Sequence, residues 1–127
     1  MTVNIEEEFS RITEHWSPRV IADANGQSVK LAKVKGEFVW HDHADEDELF
    51  FIVKGSLTIR YRDRADAVLS VGNIHVVPRG IEHNPIAEEE CWLMLFEPAD
   101  TRHTGDVDAD LTRSGAEQRA HLQPVVT

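Results

Sequence analysis

The chain has 127 residues, 41% hydrophobic and 28% charged, with a formal net charge of −10. That length suits one domain around one core. The acidic balance argues against nucleic acid as a main partner, because phosphate binding needs a basic face, and no apolar stretch is long enough to span a membrane.

The N-terminus, Met1 to Glu8, has neither a basic start nor an apolar secretion core. Ile5, Phe9, Ile12 and Trp16 then fall at helical spacing, with acidic residues in the first turn, so a short amphipathic helix or turn is expected over residues 5–16. Ser17-Pro18 ends it. Arg19–Asp23 and Ser28–Lys35 are strand candidates, and Asn25-Gly26 between them is a hairpin signal. Gly36 is expected to break the second strand and Glu37–His43 to form a third, with Val39, His41 and His43 on one face. After a polar loop, Glu48–Val53 reads as a fourth strand covered on both faces. Lys54-Gly55 is a tight turn, and Ser56–Arg62 is the fifth strand.

Ala67–Val71 and Ile74–Val77 are short strands around Gly72-Asn73. Pro78-Arg79-Gly80 turns the chain into residues 81–87. Glu88-Glu89-Glu90 reads as a solvated loop before Cys91–Phe96, the most apolar run. Residues 99–127 change character, with few large apolar residues. They read as an arm on the barrel exterior or on a second subunit, or as partly mobile, with a helical turn at Ala116–Leu122. Nine or ten short strands separated by Gly, Pro and Asn turns predict an all-β sandwich or barrel in a single domain, residues 1–127. Cys91 is the single cysteine, which agrees with a reducing compartment, and a cytoplasmic location is the expectation.

The chemistry concentrates in His41-x-His43 followed by Glu48. Two imidazoles two residues apart leave a strand in one direction, and Glu48 opens the neighbouring strand, so three metal-competent groups converge. Gly36, His41, His43, Glu48 and Gly55 resemble the first motif of the cupin superfamily. Gly72, Pro78, Gly80 and His83 resemble the second. Two departures stand out. Gly36 is one residue closer to His41 than in the motif, and Ala87 replaces a terminal Asn. The resemblance implies a cupin-type jelly-roll (double-stranded β-helix) barrel over residues 18–98, with a short N-terminal helix and a C-terminal arm over 99–127. It also implies His41, His43, Glu48 and His83 as metal ligands, and a homodimer. Three imidazoles and a carboxylate suit a divalent transition metal, whether Fe, Mn, Ni, Cu, Co or Zn. Mg and Ca prefer all-oxygen shells.

Phe50, Ile52, Trp92, Met94 and Phe96 are core residues first. Because inward positions of a small barrel surround its cavity, Phe50, Ile52, Trp92 and Met94 are also expected as pocket walls, Phe50 and Ile52 sharing parity with Glu48. His75 reads as an exposed or hydrogen-bonded strand histidine. His15, His103 and His121 read as solvated, and Cys91 as a small buried hydrophobe. Arg60, Arg62, Arg64 and Arg79 read as an exposed face. The expected function is a metal-dependent enzyme, dioxygenase-like or isomerase-like, acting on a small oxygen-rich molecule. The alternatives are a non-catalytic module that binds or senses a small ligand in the same pocket, and a structural metal site that closes the barrel. No residue of the sequence stands out as a catalytic acid or base.

Overall fold

Seven strands account for the chain from Arg19 to Pro98 in the computed structural model, which describes residues 1–101 and 115–122. They are β1 (Arg19–Ala24), β2 (Gln27–Glu37), β3 (Glu48–Lys54), β4 (Ser56–Tyr61), β5 (Ala67–Ser70), β6 (Ile74–Val77) and β7 (His83–Pro98). All pairings are antiparallel, in the order β1-β2-β7-β3-β6, with β4 joining β5 to β7. The all-β jelly-roll expectation holds, with helix α1 (Ile5–Ser10) at the N-terminus and a short α2 (Gly115–Gln118).

The strands are fewer and longer than the turn signals predict. Gly36 does not end β2. It takes a φ of +81° beside a bulge, and the strand continues to Glu37. The expected strand Glu37–His43 does not form, and only His41 makes a bridge, to His83. Glu88–Glu90 is not a loop either. Val34 pairs with Cys91 and Gly36 with Ala87, so one residue of β2 faces three glutamates of β7. A bulge of this kind bends its strand. The first part of β7 pairs with β4 and the second with β3, so one strand serves both layers of the barrel. The Asn25-Gly26 turn forms as expected, both residues at positive φ, joining Ala24 to Gln27.

Helix α1 is capped by Asn4, whose side chain accepts a 3.0 Å hydrogen bond from the Glu7 N–H. It ends at Ser10 rather than near Trp16, which adopts a left-handed φ of 57° that no helix accommodates. Its buried Phe9 joins Ile12, Ile21 and Leu31 in a small core outside the barrel. The main core lies inside and is built from alternate residues of each strand, among them Val34, Phe50, Ile52, Ile59, Leu93 and Leu95.

Residues 117–122 of the expected arm lie against β1. Arg119 reaches both Asp23 oxygens at 2.7 and 2.9 Å and the Ser28 hydroxyl at 2.8 Å, and His121 Nε2 meets the Val20 carbonyl at 2.5 Å. Residues 102–114 and 123–127 of that arm lie outside the described residues. Arg119 first, then Ser28, hold the Asp23 carboxyl down from 3.8 to about 2. A depressed carboxylate contributes above its unfolded value and loses that contribution as pH falls through its folded one. Acidification through this window is therefore expected to free the segment. The amide resonances of Ala120 and Leu122 should move to random-coil positions, and the step should be absent in Arg119→Ala. Resonances unmoved down to pH 2 would reject the pairing.

Candidate metal centre

Backbone hydrogen bonds bring the four expected ligands together without the strand that the sequence predicts. His41 and His83 exchange N–H···O bonds of 3.0 and 2.9 Å, and the Gly80 N–H donates to the His43 carbonyl at 2.7 Å. Asp47 accepts from the Arg79 N–H at 2.9 Å and from its guanidinium at 3.3 Å, which laces the two motif loops at the surface. Glu48 enters as the first residue of β3. Ring centroids of His41 lie 5.0 Å from His43 and 4.3 Å from His83.

Each of the four side chains is at most 3% exposed. One potential donor atom from each lies within 4.8 Å of all the others. Two donors bound to one ion at about 2.1 Å are at most about 4.2 Å apart, so a small contraction suffices. The tautomers are set by neighbours. His41 Nδ1–H donates to the Val39 carbonyl and His83 Nδ1–H to the Ile81 carbonyl, both at 2.9 Å. A carbonyl only accepts, so the proton sits on Nδ1 and the Nε2 lone pair points inward. Nε2 of His41, His43 and His83 are all buried without a hydrogen-bond partner. Glu48 oxygens approach His43 at 3.4 Å and His83 at 3.7 Å, too far for well-formed hydrogen bonds. Buried polar atoms are normally satisfied, and three convergent orphans, those of His41 and His83 with inward lone pairs, fit a cation.

The electrostatics agree. Burial, then the His83 ring, push His41 down to about 4, which keeps it neutral. Burial also pulls His43 down, but the Glu48 carboxylate outweighs it and leaves His43 raised. Burial drives Glu48 up, yet the facing imidazoles hold it well below the usual carboxylate range.

Behind Glu48 lies a pair that the sequence reading missed. Glu97 is fully buried and Lys30 1% exposed, and they form an ion pair of 2.8 Å. Lys30 Nζ also donates to the Thr101 carbonyl at 3.1 Å. Burial first, then the negative charge of Glu48, push the Glu97 carboxyl well above its ordinary value. The available signal was parity, since Lys30 shares a face with Ala32 and Val34, and Glu97 with Leu93 and Leu95.

A cavity of about 40 Å³ adjoins His41 and Glu48, room for a few waters. Its walls include Trp16, Phe38, Phe50, Leu93 and Leu95, and among the described residues its titratable members are His41 and Glu48. Phe50 lies in the wall. Ile52 is buried in the same core without reaching the cavity. Trp92 and Met94 are not walls. They occupy the opposite face of β7 and pack towards α1, Trp92 stacking on Phe9 at 4.8 Å. Cys91–Phe96 is apolar at every position and carries no alternation from which to choose the inward face. Trp16 stacks on Phe38 at 4.6 Å, and its indole N–H donates to the Lys35 carbonyl at 2.9 Å.

His75 meets the Tyr61 hydroxyl at 2.6 Å, a hydrogen-bonded strand histidine. His15 pairs with Glu90 at 2.8 Å on the surface, while His121 is half-buried against β1 rather than solvated. His103 lies outside the described residues. Arg60, Arg62, Arg64 and Arg79 each pair with a carboxylate. Cys91 is buried and its thiol pushed up to about 11 by that burial, as befits a packing residue.

Residues 28–97 match the protein family described as Cupin domain. The crystal structure of a cupin-2 domain containing protein from Shewanella frigidimarina is 50% identical, with a TM-score of 0.73 over 76% of this chain and 93% of that one. The uncharacterized protein YdbB of Bacillus subtilis is 40% identical over 63 residues, 50% of this chain and 56% of that protein, so the match spans about half the length of this curated relative. A hydroquinone 1,2-dioxygenase from a Sphingomonas species, solved with 4-hydroxybenzoate bound, is 15% identical with a TM-score of 0.65 over 75% of this chain and 72% of that one, a likeness of fold alone.

Proposed function

Since this chain belongs to the cupin domain family, we propose that His41, His43, Glu48 and His83 hold a divalent transition metal and that the protein is a metal-dependent enzyme acting on a small molecule. The observation that carries this reading is the convergence of three buried, unpartnered Nε2 atoms on one buried carboxylate. A bound transition metal supplies Lewis acidity toward substrate oxygens and, if it is iron or copper, redox chemistry with dioxygen. Oxygenase-like and isomerase-like reactions both fit. The chain's own part is to fix the imidazoles through the Val39 and Ile81 carbonyls and to exclude water with apolar walls.

Those walls narrow the expected ligand. An oxygen-rich molecule such as a polyol would leave most of its hydroxyls facing Trp16, Phe38, Phe50, Leu93 and Leu95, unpaired. A compact apolar body with its oxygens at the metal-facing end fits better. Elemental analysis of the purified protein is expected to find about one transition-metal ion per chain. On cobalt-loaded protein, benzoate is expected to shift the visible absorption and gluconate to leave it unchanged. Absence of metal would reject the site, and a response to gluconate alone would reject the apolar ligand.

The second reading, a ligand-binding or sensing module without turnover, is favoured by one observation. Among the described residues, the cavity wall carries no titratable side chain apart from His41 and Glu48. Binding of an apolar acid that emerges unchanged would decide for it.

The proposal includes a cytoplasmic homodimer. The free, buried Cys91 suits a reducing compartment. On the outer sheet face, Leu49 lies between Phe96 and Val76, and Phe51 between Met94 and Ile74. Ile74 is 64% exposed at edge strand β6, which suits a self-complementary contact. Sedimentation equilibrium should give twice the 14.4 kDa chain mass. The single-chain mass at micromolar concentration would reject the dimer.

A further inference from the structure

We propose that Trp16 is a specificity-determining residue: its indole bounds the cavity beside His41 and Glu48 and sets the upper size of the apolar body that the site admits. This inference rests on the reading above that a small apolar acid binds at the metal centre. The cavity walls belong mostly to the barrel strands, as Val34, Phe50 and Leu95 do. Trp16 comes from outside the barrel, in the segment between α1 and β1. That segment is tied along β2. The Lys33 ammonium donates to the Ile12 carbonyl at 3.2 Å, the Trp16 N–H to the Lys33 carbonyl at 2.9 Å, and the indole N–H to the Lys35 carbonyl at 2.9 Å. The polar atom of the indole is thus met by the backbone, which leaves its carbon surface for the cavity. Trp16 stacks on Phe38 at 4.6 Å, and Phe38 meets the His41 ring edge-on at 5.4 Å, so aromatic surface runs unbroken from Trp16 to a candidate metal ligand.

A packing role alone explains this residue poorly. Trp16 holds a φ of 57°, a left-handed conformation open to glycine but an outlier for a bulky side chain. Strain of this kind persists where the surroundings over-determine it, and it gathers at ligand sites. Protein interiors are close-packed, so a tryptophan kept only to plug the barrel is expected to fill the space beside it. Here a void of about 40 Å³ remains, and the indole, His41 and Glu48 all line it. The bulk of this one side chain therefore limits the room for a ligand whose oxygens face His41 and Glu48.

The test uses the full chain loaded with cobalt(II) and titrates benzoate and 4-tert-butylbenzoate against the visible absorption band. The wild type is expected to bind benzoate at least about 10-fold more tightly than the bulkier acid, and Trp16→Ala to reverse that order by a similar factor, the scale on which an apolar pocket separates ligands that differ by a methylene. Cobalt affinity from chelator competition is expected to stay at the wild-type value, because Trp16 donates no atom to the ion. A residue that only packed the barrel would weaken both acids alike, so an unchanged order in Trp16→Ala would overturn the role while leaving the metal site and its ligand standing. Should that variant not fold, Trp16→Phe trims the same wall, and an unchanged order of benzoate and 4-methylbenzoate there overturns the role equally. Cobalt uptake with no response to any of these acids rejects the apolar ligand and this role together, and a wild-type protein that takes up no cobalt rejects the metal site with them.

Discussion

Replacing His83 with Ala abolishes stoichiometric uptake of divalent metal, with affinity falling more than about 100-fold, while the barrel still folds. The loss exceeds the 10–100-fold typical of an outer partner because a donor atom itself is removed. The His83 imidazole contributes Nε2 to the convergent set and is wholly buried. The bonds that hold the chain here are backbone bonds between residues 41 and 83, which alanine retains. In the metal-free protein the variant is expected to lose little stability. A buried polar atom without a partner costs about 1–3 kcal/mol, so deleting one offsets part of the lost packing. His43→Ala is expected to behave alike. Equilibrium dialysis with a transition metal, read beside a thermal melt of the metal-free protein, checks both halves. Stoichiometric uptake retained in both variants would remove the site from these residues.

Gly55→Ala is expected to destabilise the protein by about 3 kcal/mol, the sum of two separate costs. Gly55 joins β3 to β4 at a φ of +82°, where an L side chain costs about 1–2 kcal/mol. A Cβ there would also stand 2.8 Å from the Glu90 carbonyl oxygen and 3.2 Å from Cys91 Cα, and overpacking of that kind costs about 1–3 kcal/mol. Gly36 separates the two terms. Its φ of +81° is almost the same, but a Cβ there meets nothing within 4 Å, so Gly36→Ala should show the conformational cost alone. Denaturant midpoints of the two variants give the comparison. Equal destabilisation would mean that the β3–β4 turn does not press on β7.

The site was legible because its signature is local. His41, His43 and Glu48 fall within eight residues, and His83 follows a turn marked by Pro78 and Gly80. The error lay in the backbone that carries them. A strand was expected from Glu37 to His43, whereas β2 runs through Gly36 and the histidines sit in a loop stitched to residues 80–85. Sequence marks Gly36 as permissive but not whether the chain stops or bulges there. The pocket walls were half legible. Phe50 follows from its parity with Glu48, while Trp92 and Met94 were set inward because nothing in an all-apolar run fixes its phase. Lys30 and Glu97 escaped because charged residues in alternating strands usually face water. Parity with Ala32, Val34, Leu93 and Leu95 was the sign that they turn to the interior.

The three glutamates where β7 bends have a consequence for chain length. Inward positions fall on odd numbers both before the bend, at His83, Pro85 and Ala87, and after it, at Cys91, Leu93, Leu95 and Glu97. Side chains alternate with a period of two, so the stretch between Ala87 and Cys91 works as a phase spacer. Losing one glutamate would turn either His83 or Glu97 out to solvent, whereas losing two keeps both aimed inward. Insertions and deletions at this corner are therefore admissible only in even steps.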